Sequence, residues 1–504
     1  MRILTLVLTL FGPAGLSAAQ IQFVESGVGR GLTPVFPASG LTVGAAAADY
    51  DDDGDVDLFV PNGLGAPNQL YRNLGQGQFE EVAALVGLDS IRNDRAALWF
   101  DYDGDGDLDL AVANDCFETV TCTEADSLHF YRQNPGGAFE DITSSIGLSG
   151  FWLPNPDTHV GGLSAGDVNN DGWLDLYVCF WEGAARLFLN DGQGAFLDAS
   201  ASSGVGLSRP FWQPVMHDFN GDGWLDIFQA VDFTPNLLWL NSGNGSFLDA
   251  AQSSGTDNAM NDMGVALGDW NNDGDQDVYV TNQFGPGEHN IFLVRRGSGQ
   301  PTPSNPIRFD EGAKRLDIEQ GYIGWGATFL DADLDGWLDL AETSSSLNSM
   351  NFFHNRGGHQ GFDELSAIVG VGAMSRGGGL IAFDVDRDGD ADLCEFGFNP
   401  GAPRLYENDR SGINDGRTHL TIKPRLNGGN RRAIGALLEL RHSDGSVQTR
   451  VITAGTSMLS QEPAEALFGL AQGEVIELVV RWPGGSVSHH PGLTAGSTIT
   501  VWKP

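Results

Sequence analysis

Seven short segments concentrate the residues best suited to chemistry, and all share one spacing: Asp, then Asp or Asn, then Asp, Gly and Asp at positions 1, 3, 5, 6 and 9. Asp49, Asp51, Asp53 and Asp57 form the first copy, and Asp101, Asp103, Asp105 and Asp109 the second. The third to fifth carry Asn at position 3: Asp167, Asn169, Asp171 and Asp175; Asp218, Asn220, Asp222 and Asp226; Asp269, Asn271, Asp273 and Asp277. The last two return to aspartate: Asp331, Asp333, Asp335 and Asp339, then Asp384, Asp386, Asp388 and Asp392. Alternate carboxylates around a tight turn offer hard oxygen ligands, and calcium takes ~6–8 oxygens at ~2.3–2.6 Å. Glycine at position 6 permits the sharp turn. Position 7 can add its carbonyl whatever its side chain, which accommodates Trp173, Trp224 and Trp337. An EF-hand does not fit, because Val60, Val112 and Val178 stand at position 12, where that loop needs a Glu. Magnesium demands stricter octahedral geometry. Without a cation, carboxylates crowded into one turn repel one another and raise their own pKa values. The pattern therefore predicts up to seven calcium ions. A site in every copy points to a structural role before a catalytic one.

The elements that must hold these turns repeat with them. The motif starts are separated by 52, 66, 51, 51, 62 and 53 residues. A small-residue strand precedes each motif (Gly44–Ala48, Gly161–Gly166, Gly377–Phe383), and an apolar strand follows it (Leu58–Val60, Leu176–Phe180, Val278–Val280). An aromatic then recurs two residues before an Asn: Tyr71/Asn73, Phe188/Asn190, Trp239/Asn241, Phe353/Asn355 and Tyr406/Asn408. The second unit reads as shifted by one (Tyr131/Asn134), and the fifth has Phe292 but no Asn. A Phe opens the next strand at Phe79, Phe139, Phe196, Phe247, Phe309 and Phe362. Four short strands in roughly 50 residues is the size of a propeller blade. The expected fold is all-β: a seven-bladed β-propeller, with the strand at Phe23 completing the last blade and removing the open edge, followed by a small C-terminal β domain.

Composition agrees. The 504 residues include 67 acidic and 27 basic side chains, a net charge of −40, with 69 glycines and 10% aromatics. That is too aromatic for a disordered acidic chain, and so acidic a surface repels the phosphates of nucleic acid. The charge is uneven. From Asn414 to Pro504 there are 9 Lys and Arg against 7 Asp and Glu, a net of +2, so the rest carries −42. Arg2, the apolar run Ile3–Phe11 and the small residues up to Ala19 read as a signal peptide over 1–19. No later run reaches the ~18 apolar residues of a membrane span, so an exported protein, secreted or periplasmic, is expected, a monomer by default. Cys116 and Cys122 sit in a polar insertion, where they either close a small disulfide loop or stay free; Cys179 and Cys394 read as buried thiols.

The seven units, spanning 20–409, resemble the FG-GAP/VCBS-type repeats of integrin-α-like calcium-loop propellers. In that family the loop joins two adjacent strands of a blade and binds calcium, which implies the same of the positions named above. After a spacer at 410–417, residues 418–504 read as a compact β domain with strands at Leu420–Leu426, Ala436–Arg441, Gln448–Thr453, Val475–Trp482 and Thr498–Trp502. Asn430, Ile434-Gly435-Ala436, Ala454-Gly455, Ser460-Gln461, Phe468-Gly469-Leu470 and Trp482-Pro483-Gly484-Gly485 resemble the ASPIC/UnbV domain. The combination is similar to the cartilage-acidic-protein-like family, which is extracellular and has no established chemistry.

Other candidates lie where the innermost strands begin: Asp94, Arg95, His159, Trp212, Asp262, Tyr322 and Arg376. Gathered at the channel mouth away from the acidic loops, they would form a rim able to bind a sugar or peptide. His159 and His217 lack a spaced partner, and no nucleophile, zinc-protease or phosphate-loop motif stands in a suitable context. The favoured reading is a calcium-stabilised protein binding extracellular or envelope partners, protein or glycan, without catalysis. The alternative is a secreted enzyme acting on polysaccharide at the channel mouth.

Overall fold

The computed structural model describes residues 21–33, 43–63, 66–115, 127–149, 159–283, 288–297, 307–319, 323–344, 350–371, 377–397, 403–411, 413–470 and 475–504. The expected signal segment, Cys116, Cys122, Tyr322 and Arg376 lie outside them.

The chain is all-β and propeller-like. Along residues 23–408, seven four-stranded antiparallel sheets follow one another. From innermost to outermost strand, the first holds Ala46–Ala48, Asp57–Val60, Gln69–Asn73 and Phe79–Glu81. The innermost strands of the next six are Asp94–Phe100, His159–Gly166, Phe211–His217, Asp262–Gly268, Gly324–Leu330 and Gly377–Phe383. Phe23–Glu25 is the outermost strand of the seventh sheet, where Phe23 pairs with Asn408 as Phe79 pairs with Asn73. Apolar side chains fill the spaces between neighbouring sheets. Phe59 and Leu70 of the first meet Trp99 and Leu110 of the second, and Ala45 and Tyr71 of the first meet Ile381 and Phe396 of the seventh.

The recurring Asn ties sheets together. Asn190 Nδ2 donates to Leu174 O of its own loop and to Tyr102 O of the preceding sheet, 2.8 Å. Asn241, Asn355 and Asn408 repeat this, and Asn73 reaches Val385 O of the seventh sheet, 2.9 Å. Two units differ from the sequence expectation. In the second, Gln133 and not Asn134 takes the position: it pairs with Phe139, and its amide donates to Leu108 O and Tyr50 O. In the fifth, Arg295 opposite Phe309 takes it, and Leu293, not Phe292, stands where the aromatic was expected. One longer polar side chain replaces another, which a fixed dipeptide pattern misses.

The C-terminal part has a three-stranded sheet (Thr418–Arg425, Ala466–Leu470, Ser497–Trp502) and a four-stranded one (Leu437–His442, Val447–Val451, Val475–Arg481, Val487–Pro491). Ala466–Leu470 and Val487–Pro491 were not among the expected strands. The first contains Gly469, and the second is a polar edge strand ending in Pro491, so neither shows an apolar alternation.

Between the two sheets the chain leaves the domain and runs along the innermost strands of all seven N-terminal sheets. Ala454 O accepts from Ala165 N; Ser457 and Val265 exchange backbone bonds; Gln461 N donates to Ala45 O. Gln461 also clasps Trp99, accepting from its N–H (2.6 Å) and donating to its carbonyl (3.0 Å). Gln213 accepts from Leu459 N, Ser457 Oγ from Leu380 N, and Glu462 from Thr328 Oγ1 and Ala382 N. This explains the small-residue strands. A Cβ on Gly44 would lie 1.9 Å from Leu459 O, so a side chain there would expel the axial segment.

Candidate functional site

Each acidic loop joins the first and second strands of its sheet, and its own backbone shapes it. Position 6 glycines have φ between 91° and 100°, and position 4 residues have φ between 54° and 74°. Two left-handed residues in three curl the chain so that the carboxylates face its N–H groups. In the first loop Asp49 accepts from Gly54 N (3.1 Å), Asp51 from Asp53 N (3.3 Å) and Asp53 from Asp55 N (2.9 Å). The oxygens of Asp49, Asp51 and Asp53 lie within 4.8 Å of one another, as do those of Asp101, Asp103 and Asp109, of Asp331, Asp333 and Asp335, and of Asp384, Asp386 and Asp392.

The position 9 aspartates have a second task. None is more than 2% exposed. Asp57 accepts from Tyr50 N and Asn73 N, and Asp109, Asp175, Asp226, Asp339 and Asp392 staple the same two positions in their own sheets. Asp277 accepts from Arg295 N. Burial pushes Asp57 and Asp109 up to about 9, and Asp101, Asp269 and Asp384 up to about 7. These loops hold more negative charge than their surroundings tolerate, and their donors are all oxygen. They could hold a hard cation.

Trp173, Trp224 and Trp337 at position 7 pack on Gly192, Gly243 and Gly357 of the turn before the outermost strand, where a Cβ would lie 2.5–3.2 Å from the indole. Position 4 side chains link neighbouring loops: Asn170 Nδ2 donates to Gly223 O, Asn272 Nδ2 to Gly336 O, and Arg387 Nε meets Asp55 at 2.8 Å.

The C-terminal domain sits on this loop face, and its basic residues explain its separate charge. Arg432 bonds Asp49 O (3.1 Å) and Asp52 (2.6 Å), Lys423 Nζ reaches Gly54 O, and Arg431 reaches Gly106 O. Arg417 meets Asp333 at 2.7 Å, and Thr449 Oγ1 donates to Asp269 at 2.7 Å. The sixth loop also has a histidine: His354 Nδ1 lies 2.9 Å from Asp339, whose charge raises the imidazole to about 9 against its burial.

The rim candidates separate into two groups. Asp94 and Asp262 are 0% exposed and serve joints between sheets: Asp94 accepts from Asn68 (2.7 Å) and Ser90 (3.1 Å), Asp262 from Asn236 (2.6 Å) and Asn282 (2.5 Å). Arg95 and His159 converge on buried Asp115, at 2.7 and 3.0 Å. Trp212 Nε1 and Trp181 Nε1 both donate to Asp232, at 3.4 and 2.9 Å, and burial pushes that carboxyl up to about 6. Sequence reasoning missed Asp115, Trp181 and Asp232. The signal was there: each stands six residues after its position 9 Asp (109, 175 and 226), where the second strand passes the start of the innermost one. Cys179 and Cys394 are buried free thiols.

Residues 49–112, 114–178, 167–228 and 218–280 match the FG-GAP-like repeat, and residues 426–504 match ASPIC and UnbV. The chain is 26% identical over 483 residues to cartilage acidic protein 1 of Mus musculus, covering 89% of this chain and 71% of that protein. It is 27% identical over 485 residues to cartilage acidic protein 1 of Homo sapiens, covering 89% and 69%. Among solved structures, BBS1N in complex with ARL6DN is similar at a TM-score of 0.47 and 11% identity, over 75% of this chain and 96% of that one. The chain thus combines FG-GAP-like repeats with an ASPIC/UnbV domain and is homologous over 89% of its length to cartilage acidic protein 1.

Proposed function

We propose that the chain is an exported, calcium-stabilised, seven-bladed β-propeller, closed into a ring by Phe23–Glu25, that binds extracellular or envelope partners through protein or glycan contacts. The observation carrying the calcium reading is the convergence of three carboxylates within 4.8 Å in four separate loops, each held by its own backbone. A bound calcium would supply the positive charge that burial and like-charge crowding call for in those turns. The Asn73–Val385 bond and the packing of Tyr71 against Phe396 support closure between the first and last blades. The N-terminal pattern and relatives named for cartilage support export.

A thermal melt of residues 20–504 with and without EDTA, paired with metal analysis, tests this. Several calcium ions per chain and a large EDTA-induced drop are expected. An unchanged melt without bound metal would sink the calcium reading.

A further inference from the structure

Two clefts open between the acidic loops and the C-terminal domain. One, of about 550 Å³, has His217, Asp222 and Arg295 on the propeller side and Glu439, Arg481 and Pro483 opposite. The other, of about 610 Å³, runs from Asp273 and Trp337 to His442 and Val447. Gly274 and Glu439 line both, so they are two lobes of one groove crossing the fourth to sixth loops. Each lobe has the volume of a small-molecule site, ~300–1,000 Å³, and lies at a domain junction, where such sites concentrate.

We propose that this groove binds a neutral oligosaccharide. The inference rests on the partner-binding reading above. Its two arginines are already paired: Arg295 meets Asp275 at 2.5 Å, and Arg481 meets Glu439 at 2.5 Å. The loop carboxylates are engaged by their own backbones, Asp222 by Trp224 N (3.0 Å), Asp273 by Asp275 N (3.0 Å) and Asp335 by Trp337 N (2.9 Å). The walls thus hold fixed donors and acceptors, and neither arginine is left to recruit an anion. His217 is 6% exposed and its Nδ1 has no hydrogen-bond partner; Asp275 is 7% exposed and its Oδ2 has none. Sugar hydroxyls, which donate and accept at once, suit such walls. An anion would meet Asp222, Asp273 and Asp335. An extended peptide would need a free strand edge, and the edge strand Val447–Val451 is pinned to the propeller by Gln276 and Asp269, both bonded to Thr449.

Calorimetric titration of residues 20–504 in calcium buffer tests the groove, with cellotetraose and chitotetraose as neutral probes and tetragalacturonate and tetralysine as charged ones. At least one neutral tetrasaccharide is expected to bind, with affinity falling tenfold or more in a Glu439→Gln, Arg481→Gln double variant. Leu437→Trp, which fills the first lobe, is expected to abolish it, with melting of both variants confirming that they fold. Binding of only a charged probe, no binding at all, or equal affinity in both variants overturns the groove. An EDTA melt on the same preparation separates the two readings. A calcium-dependent melt without sugar binding removes the groove and leaves the propeller reading, whereas sugar binding with a calcium-independent melt keeps the groove and removes the calcium.

Discussion

The third and fourth loops and the sixth share one nine-position pattern but relieve their crowding in opposite ways. The third and fourth replace an anion. Asn169 and Asn220 stand at position 3, and their amides donate to Asp171 (2.9 Å) and Asp222 (3.0 Å). The sixth keeps all four carboxylates and adds cations, Arg417 on Asp333 and His354 on Asp339, at a site where Asp333 is 1% exposed. In the third and fourth loops, where Asp171 and Asp222 are exposed, subtracting a negative charge suffices. Adding positive ones suits a loop roofed by a second domain, where an unmatched carboxylate costs several kcal/mol. The repeat therefore fixes a turn, while each loop's charge balance is settled by its neighbours.

Four experiments break or sharpen this contrast. The largest effect is expected from removing metal altogether. A ligand at ~1,000 times its Kd stabilises by about 4 kcal/mol per site, so stripping several sites is expected to lower the melting point by on the order of 10 °C or more. The loss of ions, followed by terbium luminescence during chelation, is expected in at least two phases, the open third and fourth loops first. A single phase for all loops would erase the distinction.

Arg417→Gln comes next. It leaves Asp333 buried without its cation, a loss of about 3–5 kcal/mol in metal-free protein and less with calcium, read by urea unfolding in both conditions. An equal loss in both would mean that Arg417 does not stand in for a cation.

The two loop types should also answer pH differently in EDTA. Burial pushes Asp167 and Asp218 up to about 6 from 3.8. A carboxyl with a folded pKa above its unfolded one keeps its proton better when folded, so its contribution is full below the unfolded value and lost as pH rises through the folded one. The contribution of Asp167 and Asp218 should fall between about pH 4 and 6. His354, raised to about 9 from 6.5, contributes fully below 6.5 and loses that contribution as pH rises through about 9. In urea titrations the fall in that window is expected to be smaller in His354→Gln, though not absent, since Asp57 and Asp109 also titrate up to about 9.

The smallest effect is expected from Asn170→Ala, which removes the bond to Gly223 O between the third and fourth loops and should cost about 1–2 kcal/mol. A larger loss would show that the link between loops matters as much as the charge within them.

The strand pattern and the acidic turns were legible because they are local: a fixed spacing, a glycine where φ must be positive, a Phe at each outermost strand. Gln133 and Arg295 were not, since the position opposite the outermost Phe accepts a longer polar side chain in place of Asn. The rim was misjudged at Asp94 and Asp262 for a related reason. A carboxylate ahead of an apolar strand reads the same whether it faces a ligand or the amides of Asn68 and Asn236. Least legible was Ala454–Glu462, which has no periodicity and whose partners lie up to about 400 residues away. Its placement follows from polar and backbone bonds that sequence cannot pair.

That axial segment also sets an order of events. The innermost strands are made first and their central filling nearly last, because Ala47 and Gln461 join opposite ends of the chain. Contacts this distant in sequence form slowly, since loop closure must precede the reward. A nascent chain leaving the ribosome can pair the strands of each sheet but cannot finish the core until its last hundred or so residues have emerged. Such a chain stays incomplete throughout synthesis, the state in which an unfolded polypeptide can be threaded through a membrane before it locks.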